Sequence, residues 1–141
     1  MTAVSKLIGE GQEIWSVAPT DTVYVAIEKM AKKGVGALVV LDGGKLVGMV
    51  SERDYARKVI LAGKASKSTS VADIMTSNVI YVEPQETVQE CMALMTDKHV
   101  RHLPIMDQGA LLGLVSIGDL VKAIIAEQQF MIEELQHYVH G

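Results

Sequence analysis

Apolar residues along this chain switch between a helical and an extended period, and the switch happens twice. In the first half, Val23, Ala26, Ile27, Met30 and Ala31 recur at i, i+3, i+4, i+7 and i+8, the spacing of one helix face. Val88, Cys91, Met92 and Met95 repeat that face in the second half. Each helix is preceded by a short extended segment, 13–17 or 78–82, and a proline, Pro19 or Pro84. Each is followed by a continuous apolar run, 37–41 or 103–106, short enough for a buried strand. A turn comes next, Asp42-Gly43-Gly44-Lys45 or Asp107-Gln108-Gly109-Ala110, and then a second apolar strand, 46–50 or 111–115. Asp-Gly between apolar runs signals a tight hairpin. A second helix starts near Ser51 or Ser116. Its apolar positions are Tyr55, Ala56, Val59 and Ile60 in one copy and Leu120, Val121, Ile124 and Ile125 in the other. The order per copy is β-α-β-β-α, an α/β (α+β) class of fold.

The two copies align without a gap. Residues 17–55 match 82–120 at a constant offset, and fifteen of the thirty-nine positions are identical. A fixed period of this kind means a repeated supersecondary unit. The chain therefore divides into 1–69 (an N-terminal segment, the first unit and a linker), 70–126 (the second unit) and 127–141 (a helical extension). Residues 61–70 are small, basic and Ser-rich, a surface loop. Ser70 can cap a short turn through Asp73-Ile74-Met75, and Thr87 with Glu90 reads as a capping box. In the extension, Met131, Ile132, Leu135, Tyr138 and Val139 share one side. That stripe packs either on a second chain or back on its own body. Two units packed face to face would leave two related clefts, the usual place for a small ligand.

Composition narrows the class. Nearly half of the 141 residues are hydrophobic, which excludes a disordered chain. Six aromatics and eight Met predict an aliphatic core with adaptable filler. A net charge of −4 gives no clustered basic surface, so nucleic acid is not an expected partner. The one cysteine, Cys91, lies on an apolar helix face and reads as a small buried hydrophobe rather than a redox thiol. No charged n-region with an apolar h-region opens the sequence, and no apolar run approaches the ~20 residues of a membrane span. A cytoplasmic protein without a membrane partner is expected.

The strongest local motif is Gly-x-x-Ser-x-x-Asp, present as Gly48…Ser51…Asp54 and Gly113…Ser116…Asp119. A strand ends, a hydroxyl sits at the turn, and a carboxylate lies three residues into a helix. A carboxylate can accept from both hydroxyls of a ribose. The same Ser-x-x-Asp spacing is also that of a capping box, which by itself accounts for it. His99 and His102 do not form a metal site: they stand at a strand entrance, where i and i+3 point to opposite faces. No Cys or carboxylate cluster completes four ligands, so no metal is expected. The glycines of Asp42-Gly43-Gly44-Lys45 belong to a hairpin, not to a phosphate-binding P-loop.

The duplicated β-α-β-β-α unit resembles a tandem pair of CBS domains, a Bateman module. The resemblance rests also on Asp73-Ile74-Met75-Thr76, on Val100-x-x-Leu103-Pro104-Ile105-x-Asp107 and on the paired Gly-x-x-Ser-x-x-Asp endings. It covers about residues 10–126. The run from Val50 to Val59 is similar to stand-alone bacterial CBS-pair signal-transduction proteins related to the regulatory part of inosine monophosphate dehydrogenase. The dehydrogenase barrel itself needs ~250 residues and has no room here.

The resemblance implies two units with pseudo-twofold symmetry and a disc-like homodimer. It implies an adenosine ligand: AMP, ADP, ATP, NAD(H) or S-adenosylmethionine. Asp54 and Asp119 would hold ribose hydroxyls, helped by Ser51 and Ser116. Adenine would lie between Ile14-Trp15 and 35–39, including Gly36 and Ala37, in the first copy. In the second it would lie between Val79-Ile80 and 100–104, including Leu103 and Pro104. The copies differ in charge. His99, Arg101 and His102 replace Gly34, Gly36 and Ala37, while Arg53, Arg57 and Lys58 give way to Gly118, Lys122 and Ala123. Basic residues beside a ribose site read as phosphate contacts, or as solvated surface. Two unequal sites are expected. The implied function is a regulatory sensor of energy or redox state that acts on an effector protein in trans. A ligand-free structural dimerisation module is the alternative. No nucleophile with an adjacent base is legible, so the chain is not expected to be an enzyme; a nucleotide-using enzyme is the least favoured reading.

Overall fold

The computed structural model describes residues 1–9 and 12–140. The chain forms two compact units, one of Ile14–Val79 and one of Met1–Glu13 with Ile80–Gly141.

In the first unit, β1 (Ser16–Val17) runs parallel to β2 (Ala37–Asp42), and β2 pairs antiparallel with β3 (Lys45–Ser51). Helix α1 (Val23–Lys33) lies between β1 and β2 in sequence. Thr22 caps it, accepting from the Val25 N–H at 3.2 Å, and Gly34 ends it in the left-handed region. Helix α2 (Glu52–Tyr55) leaves β3 at once and widens into a π-helical turn over Ala56–Ile60. After the loop comes α3 (Val71–Ile74). The second unit repeats the plan with α4 (Val88–Lys98), the hairpin β4 (His102–Asp107) and β5 (Ala110–Ser116), and the long α5 (Ile117–His140).

The hairpins agree in detail. Asp42 pairs with Lys45 and Asp107 with Ala110, leaving two-residue loops. Both loop residues have positive φ in each copy: Gly43 and Gly44, then Gln108 and Gly109. That backbone twist matches the twist of the strands it joins. The register shifts at Val40/Leu41 and at Ile105/Met106, the same place in both copies.

The helix faces read from sequence are the faces that pack. Val23, Ala26 and Met30 are buried with Leu38, Val40, Val50 and Val59 in one core. Val88, Cys91 and Met95 are buried with Leu103, Ile105, Val115 and Leu120 in the other. Ile60, Val121 and Ile125, expected to face inward, are 56%, 39% and 60% exposed, and Ala31 and Ala56 are exposed as well. For Ile60 the π-helical turn changes the angular step and carries it off the α-helical face. The stripe Met131, Ile132, Leu135, Tyr138 and Val139 is exposed, so it does not fold back on its own unit.

The first extended segments are shorter than expected. Only Ser16–Val17 is strand in the first copy, and the second has a single parallel bridge, Val82 to Ile105. Val82 donates to Pro104 O at 3.0 Å and accepts from Met106 N at 2.9 Å. Pairing one residue further back needs an N–H from position 104, which proline lacks.

The segment Met1–Glu13, assigned by chain order to the first repeat, packs instead on the second. Its hydrogen bonds are those that the α3 segment makes to the first. Val4 N donates to Glu86 O at 2.7 Å and Ser5 N to Pro84 O at 3.1 Å; Val71 N donates to Asp21 O at 2.8 Å and Ala72 N to Pro19 O at 3.0 Å. Val88 N and Val23 N reach back to Thr2 O and Thr69 O, both at 2.9 Å. Each repeat is thus completed by the segment that precedes the other. Ser70 occupies the cap position of α3 but makes no side-chain cap bond; it bridges Thr22 through its backbone.

These lead-in segments come so close to the hairpins that a side chain at Gly48 or Gly113 would crowd them. Thr76 bridges Met49 with N–H···O bonds of 3.0 and 2.8 Å. In the other unit the Gln12 side-chain amide takes the place of that backbone, its Oε1 accepting from Leu114 N at 2.9 Å and its Nε2 donating to Leu114 O at 3.4 Å. A Cβ on Gly48 would lie 2.7 Å from Met75 Sδ and 3.1 Å from Thr76 O; one on Gly113 would meet Gln12 Oε1, and Ile8 Cγ2 at 2.9 Å. Gly48→Ala and Gly113→Ala are each expected to destabilise the fold by about 1–3 kcal/mol, since a methyl must push aside Met75 and Thr76 O in one unit and Gln12 Oε1 and Ile8 in the other. Urea unfolding midpoints check this; a midpoint equal to wild type would mean that the segments are not seated as described.

Candidate ligand-binding site

The Ser-x-x-Asp sequence shapes the turn from strand to helix in the same way in both units. Ser51 ends β3 and caps α2. Its N–H and Oγ–H lie 2.9 and 3.1 Å from Asp54 Oδ2, while Asp54 N donates to Ser51 Oγ at 3.2 Å. In the second unit Ser116 N donates to Asp119 Oδ2 at 2.8 Å and Asp119 N to Ser116 Oγ at 3.2 Å. Both are capping boxes in geometry. The box also fixes where each carboxylate stands: at the mouth of a strand-to-helix turn, with Oδ2 held by the preceding residues.

The start of the first hairpin strand lies beside each box. Glu52 N donates to Gly36 O at 3.0 Å, and Ala37 is the register partner of Ser51. In the second unit Ile117 N donates to Arg101 O at 2.9 Å, and His102 is the partner of Ser116. The fold therefore brings Gly36, Ala37, Ser51 and Asp54 together in one unit, and Arg101, His102, Ser116 and Asp119 in the other. Ile14 and Trp15 lead directly into β1, the parallel neighbour of β2. Trp15 packs on the first core, with Lys33 Nζ 4.0 Å from its ring centroid. Ile80 packs on the second core, and the division between units falls between Val79 and Ile80.

Other residues of the expected site have structural duties. Leu103 is fully buried and Pro104 is buried in β4. Ala37 is buried as well. What these positions could offer a ligand is backbone, and at Pro104 that is a carbonyl already accepting from Val82 N. His99 ends α4 in the left-handed region with φ 57°, its N–H bonded to Met95 O, where the first copy uses Gly34. Among the described residues no group of three His, Cys, Asp or Glu could hold a metal ion.

The two sites differ in electrostatics. Asp54 is mostly buried, its side chain 12% exposed, and Lys58 Nζ sits 3.1 Å from Oδ1. Arg53 and Arg57 are exposed on the same helical stretch. Asp119 is exposed, and Ala123 stands where the first copy has Lys58. Sequence reading offers Lys58 as a phosphate contact and not as the partner of Asp54, although an Asp-to-Lys spacing of four on a helix is a legible ion pair. Elsewhere, burial pushes the Cys91 thiol up to about 11, helped by the charges of Glu86 and Glu90. It stays protonated and is no nucleophile at neutral pH.

The family description CBS domain matches residues 11–60 and 71–126. The chain belongs to the CBS domain family. A CBS domain-containing protein of Arabidopsis thaliana, CBSX3, mitochondrial, is 42% identical over 137 residues. The match covers 94% of this chain but 66% of that protein, just under two thirds of its length. A protein with CBS domains from Burkholderia ambifaria MC40-6, assigned to signal transduction, superposes with a TM-score of 0.86 at 53% identity, covering 90% of this chain and 96% of that one. The CBS domain pair of protein MJ0100, solved with 5-methylthioadenosine and S-adenosyl-L-methionine, shares the fold: TM-score 0.79, 22% identity, 90% and 98% covered. The chain is thus a CBS pair, one repeat to each unit. No helix among its described residues is long and apolar enough to cross a membrane.

Proposed function

We propose that this CBS pair is a regulatory sensor that binds an adenosine ligand (AMP, ADP, ATP or NAD(H)) and signals to a separate effector protein in the cytoplasm. The observation that carries this reading is the twice-built carboxylate, Asp54 and Asp119, each anchored through Oδ2 at the same strand-to-helix turn. An anchored carboxylate is pre-organised to accept a pair of ribose hydroxyls. Adenine would stack beside Ile14-Trp15 in one repeat and beside Ile80 in the other, with backbone groups of Gly36 to Val39 and of Arg101 to Pro104 reading its edge. Arg53, Arg57 and Lys58 fit a ligand phosphate in the first repeat, while Arg101 and His102 supply the positive charge of the second. Bound 5-methylthioadenosine and S-adenosyl-L-methionine in the structural neighbour support the ligand class. The two sites are unequal, so titration should need two classes of site.

Thermal unfolding with AMP, ADP, ATP, NAD, NADH and S-adenosylmethionine, each alone, tests the reading. A ligand at 100 times its dissociation constant adds ~2.7 kcal/mol, or roughly 2–4 °C per kcal/mol at this size. One adenosine compound is expected to raise the transition. The alternative is a structural dimerisation module whose sites stay empty; the exposed stripe Met131, Ile132, Leu135, Tyr138 and Val139 would serve pairing with a second copy in either reading. No shift with any compound would decide for the alternative.

A further inference from the structure

Lys58 touches two things that the proposed function keeps apart: the ribose carboxylate and the connector into the second repeat. Its Nζ lies 3.1 Å from Asp54 Oδ1 and donates to Ile74 O at 2.9 Å. Ile74 is the last residue of α3, whose terminal carbonyls have no partner within the helix. One ammonium therefore caps α3 and neutralises the site carboxylate at once. The next residues, Met75 and Thr76, are held by bonds from Met75 N to Val71 O at 2.9 Å and from Thr76 N to Met49 O at 2.8 Å. The chain then runs on to the unit boundary at Val79.

The second repeat lacks this device. The hydrogen bonds that equate Val4 with Val71 make Leu7 the counterpart of Ile74, and Ala123 is the counterpart of Lys58. A groove of about 370 Å³ opens there, with Leu7 and Ala123 in its wall. The second repeat, with Ala123 at this position, has no ammonium to make either contact.

We propose that Lys58 is a phosphate-operated pin that reports occupancy of the first site to the connector 75–79. The inference rests on the adenosine-ligand reading. A phosphate beside Asp54 is a stronger partner for an ammonium than a backbone carbonyl. When the ribose takes Asp54 and the phosphate takes Lys58, Ile74 O loses its donor and the end of α3 loosens. A nucleoside without phosphate leaves Lys58 on Ile74. The first site thus signals nucleotides and ignores nucleosides, even where both bind.

Amide hydrogen exchange at Met75 and Thr76 tests this on the full chain, with AMP and with adenosine as probes. AMP is expected to speed exchange at both amides by roughly tenfold, the worth of one charge-assisted hydrogen bond, and adenosine is not. Lys58→Met should show the fast exchange without ligand and gain nothing from AMP. Lys58→Gln keeps a donor for Ile74 and should stay near wild type without ligand, which guards against a folding defect in the methionine variant. Slow exchange in ligand-free Lys58→Met overturns the pin whatever binds. So does AMP that raises the melting temperature of wild type while leaving both amides unchanged. If no adenosine compound raises that temperature, the ligand reading fails, and with it the phosphate operation of the pin.

Discussion

Leu103→Ala and Leu38→Ala should each lower the unfolding free energy by about 2–5 kcal/mol, or roughly 4–20 °C in melting temperature. Both side chains are fully buried, Leu38 in the first core and Leu103 in the second. They are the same position in the repeat, one residue after the strand start that faces the site. The resemblance to CBS domains had put Leu103 on the wall of a ligand cleft. Its burial says that truncation acts first on the core, through the lost transfer energy and the cavity left behind. Leu103→Met, close to volume-conserving, should cost below ~1.5 kcal/mol. The two alanine changes lie in different clusters, so the double variant should equal their sum within ~0.5 kcal/mol. Chemical denaturation of the ligand-free protein measures all four. A loss below ~1 kcal/mol at Leu103 would return that side chain to the ligand wall.

The contrast between Leu103 and Asp54 shows how far the sequence could be read. Elements made by local rules were legible. The Asp-x-Gly turns needed positive φ and formed two-residue hairpins, and Thr87 with Glu90 formed its capping box, its Oγ1 accepting from Glu90 N at 3.1 Å. The apolar faces of the first helix in each repeat were buried at Val23, Ala26 and Met30 and at Val88, Cys91 and Met95, while those of the second helix were buried only in part. What failed needed knowledge of tertiary neighbours. Residues 2–8 complete the second repeat as 69–75 complete the first, yet of these seven position pairs only Thr2/Thr69 and Val4/Val71 are identical. Two identities carry no signal, and the offset there differs from that of the repeat. The Gln12 amide that stands in for a strand is invisible to any period. The Pro104 that marks the family motif also cuts its strand pairing to one bridge. Of the candidate site, the capping geometry of Ser51–Asp54 and of Ser116–Asp119 was legible because it is local. Lys58 was half legible: its spacing from Asp54 is helical, but Ile74 lies beyond a long loop.

That double identity of Asp54, cap and candidate ribose ligand, makes its removal the most informative change in the site. Asp54→Ala is expected to weaken binding of the adenosine ligand to the first repeat by about 10²-fold. It removes two hydrogen bonds to a charged group, each worth ~1.5–3 kcal/mol, less what water recovers. It should also cost about 1 kcal/mol of stability without ligand, because Ser51 N–H loses its acceptor. Asp54→Asn separates the two roles. Its amide oxygen can still accept from Ser51, so the ligand-free protein should stay within ~0.5 kcal/mol of wild type. Its neutral side chain cannot offer two acceptor oxygens to a ribose, so affinity should still fall steeply. Calorimetric titration with the compound that shifts the wild-type melting curve, run beside unfolding of the ligand-free variants, gives both numbers. Affinity that falls in Asp54→Asn while stability holds assigns the carboxylate to the ligand. Affinity that survives in both variants makes the motif a helix cap and nothing more, and the sensor reading of the first repeat goes with it.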